Sequence, residues 1–68
     1  MPGTYKKIVI VGTSPVSFAE AVKAAIKDAS QTVRHMDWFE VDEMRGRIKD
    51  GQVAEFQVTL RIGFKLER

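Results

Sequence analysis

Sixty-eight residues with eleven Lys and Arg against nine Asp and Glu, a net charge of +2 and no cysteine describe one small domain, residues 1–68. A chain this short buries only about 60% of the surface its unfolded form exposes, so its core is marginal. The missing cysteines exclude a disulfide framework, the lone His35 argues against a structural zinc site, and the longest apolar run, Ile8 to Val11, is too short to span a bilayer or act as a signal peptide.

Self-association remains as the means of stabilising so small a core, and the absence of cysteine fits a cytoplasmic protein. Positive and negative residues are interleaved. Only Arg45, Arg47 and Lys49 cluster, and a solvated strand explains them better than a phosphate or nucleic-acid face.

Tyr5 to Val11 is rich in β-branched residues and stops at Gly12, which predicts a first strand closing in a turn, after a loose Met1 to Thr4. Two signals mark the start of the helix that follows. Either Ser14 caps it with Pro15 in the first turn, or Ser17 and Glu20 form a capping box. Phe18, Val22, Ala25, Ile26, Ala29 and Val33 then make the apolar stripe of one amphipathic helix ending near Thr32. The preceding glycine turn lacks both the dinucleotide-binding fingerprint and the Walker lysine, so it reads as a connection and not a phosphate loop.

Val33 to Ile48 and Gln52 to Leu66 are predicted as two long strands joined by Asp50-Gly51, a dipeptide suited to a tight hairpin. In the last strand Ala54, Phe56, Val58, Leu60, Ile62, Phe64 and Leu66 alternate with Glu55, Gln57, Thr59, Arg61 and Lys65, the pattern of a half-buried antiparallel strand. In the strand before it the phase slips after Val41, which predicts a bulge or bend near Asp42 to Met44. Strands of this length run to roughly 50 Å, whereas a helix of about seventeen residues covers ~26 Å. The hairpin therefore either bends around its helix or projects to meet a neighbouring subunit.

Within Asp37-Trp38-Phe39-Glu40-Val41 the alternation sends Phe39 and Val41 to the core and the only tryptophan, Trp38, away from it. An outward indole in a small protein needs a subunit contact or a stacking ligand. No catalytic constellation accompanies it. His35 has no nucleophile beside it and reads as structural. Glu40, Asp42 and Glu43 lie beside the arginine-rich segment and read as cross-strand ion-pair partners, with pairs expected among Arg45, Arg47, Glu40, Asp42 and Glu55. A simple register about Asp50 and Gly51 places Arg45 nearly opposite Gln57, with Trp38 further along the same face. A ring to stack, an amide that donates and accepts, and a guanidinium suit a planar, polar-edged heterocycle. On composition alone a subunit interface built from the same residues is slightly favoured.

Tyr5-Lys6-Lys7, Val11-Gly12-Thr13-Ser14, Asp37-Trp38-Phe39-Glu40-Val41, Arg45-Gly46, Phe56-Gln57-Val58 and Gly63-Phe64-Lys65-Leu66-Glu67 together resemble the dodecins, small flavin-binding proteins, over nearly the whole chain. The resemblance implies an α+β protomer of β-α-β-β order. Its three-stranded antiparallel sheet is partly wrapped around one helix, and the protomers assemble into a hollow homododecamer with cubic symmetry. It implies flavin pairs at two-fold interfaces, stacked against Trp38, with Gln57 on the pyrimidine edge, Arg45 near the ring and Asp37 as a weaker neighbour. The implied role is storage and photoprotective sequestration of FMN or riboflavin, without enzymatic activity. Some members also bind coenzyme A, for which Lys6, Arg34 and Lys65 would be phosphate contacts, although Lys65 departs from the expected arginine. Neither a metal, a nucleic acid nor a membrane is implied as a partner. The alternative is a structural assembly protein in which Trp38 fills a subunit contact.

Overall fold

The strand with the strictest apolar alternation lies at the centre of the sheet. The structure, a computed structural model, describes residues 3–66. The elements run β1 (Tyr5–Ser14), α1 (Phe18–Ala29), β2 (Met36–Lys49) and β3 (Gln52–Lys65), and the three strands form an antiparallel sheet in the order β1-β3-β2. Centrality explains why Val58, Leu60 and Ile62 of β3 are the largest fully buried side chains, since a middle strand is flanked on both edges. Asp50 and Gly51 both adopt positive φ, 53° and 75°, and turn the chain from Lys49 to its partner Gln52 as the dipeptide predicts.

β1 is longer than its sequence suggests. Gly12, Thr13 and Ser14 do not turn but continue the ladder opposite Val58, Gln57 and Phe56. Gly12 is required by the helix that crosses it: a Cβ there would lie 2.4 Å from the Ala21 carbonyl oxygen and 2.6 Å from the Ala25 Cβ. Ala21, absent from the predicted stripe, is accordingly the most buried residue of α1, because the line of closest approach admits only small side chains. Phe18, Val22 and Ile26 flank that line against the core.

Of the two helix-start signals the capping box is the one used. Ser17 is extended and its Oγ accepts from the Glu20 N–H at 3.0 Å, whereas the Ser14 Oγ accepts from the Val16 N–H in the connection. The helix is shorter than predicted and ends at Ala29. The N–H groups of Thr32 and Val33 both return to the Ala29 carbonyl, closing the turn, so Val33 leaves the stripe. β2 starts at Met36, after His35 at φ 62°. Thr4, expected to be loose, is tied to the residue that follows β3, since its carbonyl accepts from the Leu66 N–H at 2.9 Å. Met1, Pro2 and Glu67 lie outside the described residues.

The phase slip is real: the register shifts between Val41 and Glu43, leaving Asp42 extra and returning Met44 to the face of Val58. Two further shifts, at Asp37 and between Arg47 and Ile48, were not foreseen. The predicted core position of Phe39 and Val41 needs correction. Both share the helix-side face, opposite Ile62 and Leu60, but α1 packs on β1 and β3 and leaves Phe39, Val41 and Met44 exposed, at 44 to 60%. Fourteen-residue strands reach ~46 Å and the twelve-residue helix ~18 Å, so the hairpin projects and the molecule is 53 Å long. Among the described residues no helix is long and apolar enough to cross a membrane.

Candidate functional site

On the sheet face away from α1, two rows of directly opposed residues carry the predicted site. Lys7, Gly63 and Trp38 make one row; Thr13, Gln57 and Arg45 make the other. Opposed residues of an antiparallel ladder share a face, so Trp38, Gln57 and Arg45 do point the same way. Six residues of β3 separate the rows, about 20 Å at ~3.3 Å each. Arg45 and Gln57 are neighbours, and Trp38 is remote from both within one protomer.

The indole lies on the sheet backbone. A Cβ built on Gly63 would meet Cζ2, Cε2 and Cη2 of Trp38 at 2.3, 2.4 and 2.5 Å, and three adjacent ring atoms at nearly equal distance mean that the ring meets the backbone face-on. Only glycine leaves that space. Tyr5 borders the ring with centroids 5.3 Å apart and planes tilted by 57°, and the indole Nε1–H donates to the Glu40 Oε2 at 2.9 Å. The same carboxylate oxygen takes the Lys7 Nζ at 2.8 Å, across the lane that Gly63 leaves open. The Lys7 ammonium first, and the indole N–H second, hold the Glu40 carboxyl below its ordinary pKa by bonding its charged form. Trp38 remains 37% exposed, and with one face on the backbone its exposure is on the side away from Gly63.

Gln57 is buried, at 8% exposure, and its Nε2 donates to the Glu55 Oε1 at 2.8 Å while the Arg47 Nε approaches the same oxygen at 3.2 Å. A carboxylate only accepts, so the amide nitrogen must face Glu55. No described residue bonds the amide oxygen, and no buried side-chain oxygen lacks a partner, so that oxygen reaches the surface. Arg45 has no ion-pair partner among the described residues, unlike Arg47 with Glu55 and Arg61 with Asp42.

Within the set of residues expected to form ion pairs, Arg47 and Glu55 pair with each other. Glu40 and Asp42 instead take Lys7 and Arg61, because the bulge at Asp42 and the register bring β1 and β3 cations closer than Arg45. Asp37 is the extra residue beside Trp38. His35 accepts from the Lys65 N–H through its carbonyl, a structural link. Arg34 and Lys65 line one shallow groove of about 300 Å³ with Thr32 and Phe64. Lys6 does not line that groove; its backbone pairs with Phe64 while that of Lys65 pairs with Tyr5, which sets the two lysines on opposite faces of the ladder. Sequence reasoning assigned no role to Gly63, Tyr5, Lys7 or Glu55 in presenting the ring and the amide. The available signal was Gly63, a glycine inside an otherwise regular strand, which marks a close approach.

A family model described as Dodecin matches residues 4–67, and the dodecin of Thermus thermophilus is 49% identical over 67 residues, covering 98% of this chain and 97% of that one. The chain belongs to the dodecin family. The solved dodecin from Streptomyces coelicolor is 53% identical and superposes with a TM-score of 0.95, over 97% of this chain and 94% of the other. Dodecin from Streptomyces davaonensis matches at 47% identity and a TM-score of 0.96 over the whole of both chains. The β-α-β-β order and three-stranded antiparallel sheet of this dodecin chain are therefore those of its relatives.

Proposed function

We propose that this dodecin is a cytoplasmic, non-enzymatic flavin-binding protein that stores FMN or riboflavin and suppresses its photochemistry in a homododecameric shell. Flavin pairs stack between Trp38 side chains at two-fold interfaces, with Gln57 on the pyrimidine edge, Arg45 near the ring and Asp37 at the margin. The observation that carries the reading is the indole held face-on against the Gly63 backbone, which presents one rigid aromatic face outward. Tight stacking offers an excited flavin fast electron transfer from the indole, and this needs no protein acid or base.

The ~20 Å between Trp38 and the Gln57–Arg45 pair exceeds the span of one tricyclic ring, so stacking and edge recognition come from different protomers. Exposed Val9, Val11, Phe39, Val41 and Met44 support assembly, since such apolar surface is seldom left to water. The same surface favours the second reading, a purely structural assembly with Trp38 in a subunit contact.

Titrating riboflavin, FMN and FAD separately into the apo-assembly, while following flavin fluorescence, separates the two. Strong quenching by at least one flavin is expected. An intact assembly that quenches none overturns the flavin reading.

A further inference from the structure

An indole lying on a strand can slide and rotate about its side-chain torsions unless something directional fixes it. Gly63 supplies space beneath the ring and Tyr5 a tilted wall beside it, but neither contact is directional. The only directional bond to the ring among the described residues is Nε1–H to the Glu40 Oε2, and that oxygen is itself pinned by the Lys7 ammonium from the far strand. Three strands thus converge on one ring: β2 gives the indole and the carboxylate, β3 the gap, β1 the lysine.

We infer that Glu40 is a positioning residue for Trp38, a carboxylate clamp that Lys7 anchors and that holds the indole in the plane a stacked ligand needs. Its use by a ligand rests on the flavin reading above; the clamp itself does not. A charge-assisted bond at an acceptor fixed from a second side resists rotation better than a neutral one, and a preorganised ring avoids the ordering cost of binding. The charged or titratable groups facing Glu40 are Lys7 and Tyr5 on β1, Arg61 on β3 and Asp42 on β2, the last two paired with each other.

Trp38 is the only tryptophan, so its fluorescence anisotropy in the assembled apo-protein reports ring mobility without any flavin. Glu40→Ala should lower that anisotropy and weaken FMN binding about two- to tenfold, the range one hydrogen bond spans. Lys7→Met should do both to a smaller degree. Glu40→Gln keeps an acceptor for the indole but cannot titrate: anisotropy of the parent should fall as acid protonates Glu40, while that of Glu40→Gln stays flat. This arm decides the matter should Glu40→Ala fail to assemble. Parent-like anisotropy in assembled Glu40→Ala, or an acid response retained in Glu40→Gln, overturns the clamp. Lower anisotropy with unchanged FMN affinity supports the clamp and overturns Trp38 as the flavin platform.

Discussion

The two ends of the outer sheet face are built on opposite principles. At the Trp38 end a large aromatic is brought to the surface and immobilised there by a missing side chain, a neighbouring ring and a shared carboxylate oxygen. At the Gln57 end the polar group is sunk between β1 and β2 and oriented by Glu55, while Arg45 beside it keeps no ion pair among the described residues. The first end offers area without hydrogen-bond specificity; the second offers hydrogen bonds without a stacking surface. On the proposed function each is half of a site for a planar, polar-edged ligand, and the strand length between them leaves a second copy to complete it.

The severest break in that comparison is to separate the copies. No stable folded monomer is expected, because the covered core is small and Phe39, Val41 and Met44 lack cover; sedimentation should show no folded 7.7 kDa species at micromolar concentration, and any condition that yields one should abolish flavin binding. Trp38→Ala comes next. It leaves Ala21, Ala25, Val58, Leu60 and Ile62 untouched, so the assembly should persist, while FMN affinity falls at least about tenfold through lost stacking and lost area.

Gly63→Ala tests the support and not the ring. Its Cβ cannot coexist with the present indole position, so affinity should fall up to about tenfold with Trp38 still present, and indole anisotropy should change with it. Gln57→Ala strikes the other end. Losing edge hydrogen bonds worth about 0.5 to 1.5 kcal/mol each should weaken binding less than Trp38→Ala, and the residual complex should still quench flavin fluorescence because the stack remains. Equal losses of affinity and quenching from both substitutions would show that the two ends are not functionally distinct.

Acid gives the mildest probe. Glu40 has its pKa depressed by Lys7 and then by Trp38, so the stabilisation it contributes is complete above the ordinary glutamate value and is lost as pH falls through the lower, folded-state value. Protomer stability should therefore begin to fall only below the ordinary glutamate value, and assembly, which needs the folded protomer, should weaken with it. An oligomer mass unchanged from about pH 8 to about pH 3 would contradict a structural role for the carboxylates.

Much of this was legible in the sequence because its signals are local. The strict alternation of β3, the Asp50-Gly51 turn, the Ser17–Glu20 capping box and the phase slip at Asp42 each depend on a few neighbouring residues and on backbone geometry alone. Placing Trp38, Gln57 and Arg45 on one face needed the hairpin register together with the phase slip at Asp42, which returns Arg45 to the face of Trp38. What tertiary structure decided were the contacts between elements distant in the chain. That Gly12 lies under Ala21 and Ala25, and Gly63 under Trp38, is set by how helix and rings approach the sheet, which no periodicity encodes; a glycine signals that something comes close but not what. The lateral position of α1 over β1 and β3 likewise left Phe39 and Val41 uncovered, although their phase matched the core, because phase fixes a face whereas burial depends on what lies across from it.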